Sequence, residues 1–338
     1  MSSKRPTIYD VAEAAGVSKS LVSLVLQGSP RVGDQSRQAV EAAIAQLGYR
    51  PSRAAANLAA RRTKLVGVLI DDYTNLWFVD LVRGLHAALG PQGYRLSVVD
   101  VATADQAEDP VESFLSMRVD GMVVGMDPPR ALTAQGLPPI VVAGTREVPD
   151  TGLAARFDAV ANDDAAGARL VADHLVGLGH TRLGHLSVGS GAARIRRAAF
   201  EEYAPTLGAR VIATSWDGPA IDEAGYSGAL ALLTENPDVT AIFAANDVMA
   251  VGALAAAREL GRDVPGALSI VGYDDTSLAA SRLIGLTTVN DRSFDVGVET
   301  GKLLADRMGG DAGEPVTVIL PPTLTVRHTT LRASAEER

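Results

Sequence analysis

Residues 7–26, TIYDVAEAAGVSKSLVSLVL, read as two short helices joined by a tight glycine turn, and the rest of the chain is organised around that unit. Thr7 can cap the first helix, with Asp10 three residues on reaching back to the free amide of the cap. Ile8, Val11, Ala12 and Ala15 recur at three- and four-residue spacing, so one face is apolar while Asp10 and Glu13 occupy the other. Gly16 supplies the left-handed conformation that ends a helix. Ser18 caps the second helix, in which Val22, Val25 and Leu26 are expected to face inward and Lys19, Ser20 and Ser23 outward. Helix, short turn and helix is the unit that sets its second member in the DNA major groove. Small hydroxyls and one cation suit base edges and phosphates, with no acidic side chain to be repelled. An ordinary helical hairpin shares this pattern, so its surroundings must discriminate.

The 338 residues exceed one compact domain of ordinary size, and 47% hydrophobic with 21% charged residues describes a globular protein with ample core. With no cysteine, neither disulfides nor thiolate metal sites are available. No secretory signal and no apolar run of membrane-spanning length is visible, which predicts a cytoplasmic protein. Charge is segregated. Up to Lys64, ten basic residues face Asp10, Glu13, Asp34 and Glu41, leaving +6, whereas the whole chain is −9 and the remainder therefore −15. A basic head on an acidic body fits a nucleic-acid reader, because phosphate neutralisation supplies most non-specific affinity. A basic solvated tail is the bland alternative, weakened by the helical apolar periodicity among those charges.

Asp34 is a plausible cap for a third helix whose stripe of Val40, Ala43, Ile44 and Leu47 would close a small core before Gly48. Pro51 then forces its predecessor out of helical geometry, and Ser52 can cap again. The following RAAANLAARR has Leu58 as its one large apolar residue, so a helix there would be marginal without a partner. By composition a flexible linker is the stronger reading of this run, and a minor-groove wedge at Leu58 the weaker. These boundaries divide the chain into residues 1–49 as an all-α head, 50–63 as hinge and linker, and 64–338 as a body.

In the body, LVGVLI at 65, RLSVVDV at 95, DGMVVGM at 120, IVVAG at 140, RLGHLSV at 182, RVIATS at 210, TAIFAAN at 240 and LSIVGYD at 268 alternate with helical stretches. Their continuous hydrophobicity predicts strands covered on both faces, hence parallel sheets, and so much alternation predicts two α/β lobes. Ligands in such folds bind beyond the carboxyl ends of the strands. The polar residues following the runs are Asp71, Asp72, Asn75, Trp77 and Phe78, then Asp127, Arg196, Trp216, Asn246 with Asp247, and Asp274 with Asp275. Aromatic faces, carboxylates, amides and one arginine fit a polyhydroxylated ring. Phe78 reads equally as helix core, and Asp247 or Asp275 as caps of the next helix.

TIYDVAEAAGVSKSLVSLVL, GYRPSRAAANLA, VGVLIDDYTNLWF, GARLVADHLVGLGHTRLGHL, AIFAANDVMAVGAL, VPGALSIVGYDDTSLA and LTTV together resemble the lactose repressor family of bacterial transcription regulators, over nearly the whole chain. The resemblance implies a helix-turn-helix head, a hinge helix, and a two-lobed sensor like the periplasmic sugar-binding proteins. It also implies a homodimer, or a dimer of dimers, on a near-palindromic operator. Carried over by position, Lys19, Ser20 and Ser23 would contact the major groove; Tyr9, Ser18, Arg31 and Asn57 would anchor the backbone; Leu58 would be the wedge. Asn75, Trp77, Phe78, Arg196, Trp216, Asn246 and Asp274 would face the effector, with Asp127 and Asp291 as further candidates. The chain departs from many relatives at Leu21, Leu24 and Thr145. A missing cation at 24 removes a possible guanine contact worth about 1–3 kcal/mol of discrimination. Without the aspartate common at 145, a nucleoside or other polar metabolite stays open beside a sugar.

Catalytic signatures are absent. GSGAAR at 189 lacks the third glycine of the dinucleotide fingerprint, and no HExxH, GxSxG or GxxxxGK[ST] occurs. His180, after an apolar helical run, reads as a helix-end cap. The expectation is a ligand-controlled transcription factor, a repressor, with no cofactor or metal. A sugar receptor without gene control would need a secretion signal and no basic head; a sugar-modifying enzyme would turn its ligand over.

Overall fold

The computed structural model describes residues 6–26, 29–49, 62–101, 103, 109–127, 132, 136–145, 156–189 and 191–333. The chain divides into two compact units, Met1–Thr63 and Lys64–Arg338. The hinge residues 50–61, with Asn57 and Leu58, lie outside the described residues, as does Ser52.

In the first unit, helices α1 (Ile8–Ala15), α2 (Lys19–Leu26) and α3 (Asp34–Leu47) enclose Val11, Val22, Val25, Val32, Val40, Ala43 and Tyr49. The Asp10 carboxylate accepts from the Thr7 amide at 2.6 Å and from its hydroxyl at 2.7 Å, which fixes the start of α1. Gly16, at φ 64°, closes it, and the Ser18 hydroxyl accepts from the Leu21 amide at 3.2 Å to open α2. Two expectations are corrected. Leu26 is exposed while Leu21 packs on the core, because 21, 22 and 25 share the inward face. Asp34 is the first helical residue and Gly33, in extended geometry, is the cap; the Asp34 carboxylate still favours the positive helix end.

The second unit holds two six-stranded sheets. The first has the order β11-β5-β4-β3-β1-β2 and is parallel throughout, from β1 (Leu65–Ile70), β2 (Arg95–Asp100), β3 (Gly121–Val124), β4 (Ile140–Ala143), β5 (Asp158–Asn162) and β11 (Thr317–Leu320). The second has the order β12-β10-β9-β8-β6-β7, from β6 (Arg182–Val188), β7 (Arg210–Trp216), β8 (Ala241–Ala244), β9 (Ser269–Tyr273), β10 (Thr287–Asn290) and β12 (Thr323–Thr325). Its β12 edge alone is antiparallel, paired with β10. In the first lobe, α4 (Trp77–Leu89) buries Phe78, Leu81, Leu85 and Leu89 beside α10 (Ser293–Gly309), and α5 (Pro110–Ser116) places Phe114 on the opposite face. In the second, α6 (Asp164–Gly177) and α7 (Gly191–Tyr203) cover one face, α8 (Asp222–Glu235) and α9 (Asp247–Glu259) the other. The chain crosses between lobes at Asp163, at Asp291–Arg292 and at Pro321–Pro322.

Helices α4 and α10 meet at glycines. A Cβ on Gly84 would collide with the Phe294 carbonyl oxygen, and one on Gly297 with the Leu81 carbonyl oxygen. Backbone cannot move aside as a flexible side chain can, so Gly84→Ala should force the helices apart and lower stability by about 1–3 kcal/mol or more. Thermal unfolding checks this, and an unchanged midpoint would show that the lobe is loosely packed. The His180 backbone N–H closes α6 by donating to the Leu175 carbonyl at 3.1 Å, but its side chain is not turned to the helix end. It is buried, with Nδ1 accepting from the Thr240 hydroxyl at 2.8 Å and Nε2 donating to the Leu331 carbonyl at 3.0 Å, so it ties the C-terminal segment to the second sheet. No helix among the described residues is long and apolar enough to cross a membrane.

Candidate ligand cleft and nucleic-acid interface

Strands of both sheets end at one cleft, where parallel topology gathers the loops that follow β1, β4, β5, β6, β7, β8 and β9. The cavity is about 280 Å³ and is lined by Asp71, Asp72, Asn75, Trp77, Thr145 and Asn162 from one lobe and Arg196, Ala220, Asn246 and Asp274 from the other, among others. Five candidates from the sequence therefore meet there: Asn75, Trp77, Arg196, Asn246 and Asp274.

Arg196 is the centre of the wall. The first turns of α7 carry it inward, and its Nε donates to Asp164 at 2.6 Å. Nη1 donates to the Ala245 carbonyl at 2.7 Å and lies 3.3 Å from Asp274, and Nη2 lies 4.0 Å from Asp291. The guanidinium also rests 3.6 Å from the Tyr273 ring centroid. Burial alone would favour a neutral guanidine, but Asp164, Asp274 and Asp291 outweigh it and hold the charge firmly. Burial also pushes the Asp274 and Asp291 carboxyls well above the ordinary carboxylate range, against the lowering by Arg196. Asp274 sits at φ 99°, a backbone region rarely adopted by residues other than glycine, so the surrounding contacts hold it in place against local strain.

The two lobes are tied beneath the cleft. The Trp77 indole N–H donates to Asp291 Oδ2 at 2.7 Å, and the Asn162 side-chain amide donates to the Asp291 carbonyl. Asp291, in the β10-to-α10 crossover, thus links α4 to the Arg196 cluster. Asn246 caps α9 by accepting from the Met249 amide at 2.8 Å and donates to the Ala220 carbonyl at 3.0 Å, so its amide is already engaged. Asp247 is wholly buried beside it, accepting from the Thr276 amide and hydroxyl and from Thr288, which holds the loop after β9.

Four candidates are placed elsewhere. Phe78 is buried core of α4, in edge contact with Trp77. Asp127 is exposed and Trp216 is 39% exposed, neither lining the cleft. Trp216 is the last residue of β7, with its indole against Gly218 at the cleft's edge. Asp291 lies behind the wall. Asp164 and Asn162 were missed, because DAVAN at 158 is too short and too alternating to stand out as a buried strand; the polar Asn-Asp-Asp after it was the available signal.

Deeper in the second lobe, His185 on β6 stacks on Phe243 at 4.7 Å between ring centroids, with Phe200 at 5.4 Å. Nδ1 donates to the Phe243 carbonyl at 2.9 Å, and Nε2 has no hydrogen-bond partner among the described residues. Burial pushes the imidazole down from 6.5 to about 4. Since the folded value is below the unfolded one, the contribution is full above pH 6.5 and is lost as pH falls to about 4, some 3 kcal/mol in all. The stability advantage of wild type over His185→Phe should shrink by about that amount between pH 7 and pH 4 in matched denaturant titrations. A constant difference would mean that the ring is not buried in neutral form.

On the head, Lys19 and Ser20 are exposed, Ser23 is half-buried and Leu24 is 39% exposed, which gives α2 one outward face. Tyr9, 64% exposed, joins it: Lys19 Nζ donates to the Tyr9 hydroxyl at 3.2 Å and lies 4.9 Å from its ring centroid. Ser18 is committed to the cap and Arg31 is exposed. Of the ten basic residues up to Lys64, five (Lys4, Arg5, Arg50, Arg53 and Arg61) lie outside the described residues.

Residues 7–52 match the family described as bacterial regulatory proteins, lacI family, and residues 172–330 match the periplasmic binding protein-like domain. The chain is 32% identical to the HTH-type transcriptional regulator CelR of Thermobifida fusca, over 96% of this chain and 98% of that protein. Similar solved structures include a LacI-family transcriptional regulatory protein from Corynebacterium glutamicum, 46% identical over 80% of this chain and all of that one, with a TM-score of 0.72. A CelR–cellobiose complex is 29% identical over 96% of this chain and all of that one, with a TM-score of 0.70. The lac repressor dimer bound to operator and the anti-inducer ONPF is 30% identical over 97% of this chain and all of that one, with a TM-score of 0.83. A recognition-type helix pair in one unit and a strand-end cleft in the other thus accompany likeness along almost the full length, and the chain belongs to the lacI family of bacterial transcription regulators.

Proposed function

We propose that this regulator is a repressor that binds a near-palindromic operator as a homodimer and changes its affinity when a sugar occupies the cleft. The observation that carries the effector reading is the cleft wall: an indole for the apolar face of a ring, with carboxylate, amide and guanidinium groups placed for its hydroxyls. The cellobiose in the CelR complex supports a carbohydrate over a nucleoside. Lys19, Ser20 and Ser23 read bases, while Tyr9, Ser18 and Arg31 hold phosphates; Asn57 and Leu58 extend the interface through the hinge. Effector affinity that differs between two arrangements of the lobes would shift their population, and with it the operator affinity. Because Asp291 joins Trp77 to the Arg196 cluster at a crossover, that tether would report occupancy.

Selection from random duplexes, followed by titration of the recovered operator with a sugar panel, tests this. The expected result is an inverted-repeat site released by one sugar class. Recovery of no preferred duplex, with or without sugars, would overturn it.

A further inference from the structure

The two tryptophans of the chain stand at different depths of the cleft. Trp77 lines its inner wall, but it is only 6% exposed and its indole N–H is committed to Asp291 at 2.7 Å. Trp216 ends the edge strand β7 and is 39% exposed. A Cβ on Gly218 would stand 2.8 Å from the Trp216 Nε1, so the indole rests on a cleft-lining glycine that no larger residue could replace without displacing it. Tryptophan is on average a highly buried residue, and this one keeps an apolar face open at the mouth of the cleft.

The wall changes character between these two places. The cavity that Trp77 lines carries the polar side chains of Arg196, Asn246 and Asp274. Next to Trp216 the lining is Gly218, Pro219 and Ala220, whose side chains offer no hydrogen-bonding group. The Asn246 amide donates to the Ala220 carbonyl at 3.0 Å, which pins this stretch to the start of α9 and fixes the approach to the indole before anything binds.

A sugar ring at the polar end is recognised through its hydroxyls, whereas one at the Trp216 end is held through its apolar face, laid against the indole. Trp216 stands outside the cavity that the polar groups line, so a single ring bound there leaves the indole in water. A second ring linked to the first would reach it over Gly218 and Pro219. We propose that the effector is an oligosaccharide of at least two linked pyranose rings, the first held by the polar wall and the second stacked on Trp216. This rests on the reading of the cleft as a carbohydrate site and narrows it to glycosides longer than one ring.

The experiment is titration calorimetry of the full chain with each monosaccharide and its disaccharide: glucose with maltose and cellobiose, galactose with galactobiose, mannose with mannobiose, and xylose with xylobiose. At least one disaccharide should bind about tenfold or more tighter than its own monosaccharide, the scale of covering an aromatic face with a second ring. Trp216→Ala should cut that preference to about threefold or less, and Trp216→Phe should keep part of it. Acrylamide quenching of the tryptophan emission gives a readout that a packing role alone would not move: the disaccharide should shield the accessible emission of wild type, and the monosaccharide should not. A monosaccharide that binds as tightly as its disaccharide overturns the second-ring assignment and leaves the carbohydrate reading standing. Binding by no sugar of either length overturns the carbohydrate reading itself. A disaccharide preference that survives Trp216→Ala overturns the placement on the indole, as does shielding that follows protein concentration rather than sugar, which would make Trp216 a contact between copies of this chain.

Discussion

Arg196→Ala should destabilise the sensor unit by about 3–5 kcal/mol at neutral pH, the range seen when one partner of a buried ion pair is removed. A ligand-facing role alone would predict loss of the effector response with operator binding intact. The structure argues otherwise, because Asp164, Asp274 and Asp291 would remain buried with no cation among them. Without Arg196 the Asp274 and Asp291 carboxyls, which burial already raises, climb further above their unfolded values. A raised carboxyl costs stability above its unfolded pKa and costs nothing once both states are protonated. The gap between variant and wild type should therefore narrow as pH falls from 8 to 5. Arg196→Lys should fall between the two, keeping charge but losing the fork that reaches Asp164 and the Ala245 carbonyl together. Thermal unfolding across that pH range measures all three proteins. A variant as stable as wild type at pH 8 would show that the carboxylates find water or protons without cost.

Ser20→Glu should reduce specific operator affinity by about 100-fold or more while the head stays folded. Ser20 is exposed on α2, away from Val22 and Val25, so the change leaves the core packing alone. In the proposed groove contact a carboxylate there would meet base-edge acceptors and phosphates at short range and the proposed hydroxyl–base hydrogen bond would be lost, together about 3 kcal/mol. Arg31→Ala is the contrasting case. Arg31 is exposed on the head and is proposed to hold a phosphate, so removing its charge should weaken specific and non-specific binding alike and lower the salt slope by about 1. Fluorescence anisotropy at several salt concentrations separates the two patterns. Operator affinity of Ser20→Glu within threefold of wild type, with circular dichroism unchanged, would move the recognition surface off this face of α2.

The crossover at Asp291 joins the two lobes of the sensor unit. Its carboxylate holds the Trp77 indole, its carbonyl holds Asn162, and its charge is part of the Arg196 cluster. A ligand that redistributes charge around Arg196 thereby acts on a residue that belongs to both lobes. That is a small lever at the place where the sheets are joined, and a few kcal/mol of differential affinity suffices to shift a two-state equilibrium.

Local chemistry made much of the fold legible from the chain alone. The Thr7–Asp10 reciprocal cap, the Gly16 turn and the apolar periodicity of Val11, Val22 and Val40 act within a few residues of one another, and the structure holds them as expected. All eight apolar runs became strands; six are buried on both faces, which removes any need for alternation, while the edge strands β2 and β7 are only partly buried. Polar residues at the ends of those runs gave Asn75, Trp77, Arg196, Asn246 and Asp274 as a set. What pattern could not reach is whatever depends on distant segments. The strands β5, β10, β11 and β12 are short, polar or half-exposed and are strands only because a neighbour pairs with them. The return of β11 to the first sheet, 155 residues after β5, leaves no local mark. Nor could the chain announce that Asp164 and Asp291 would converge on Arg196. Side-chain period and caps are short-range physics written in the sequence; which charges share one low-dielectric pocket is settled only when the sheets close, since that depends on distance and burial.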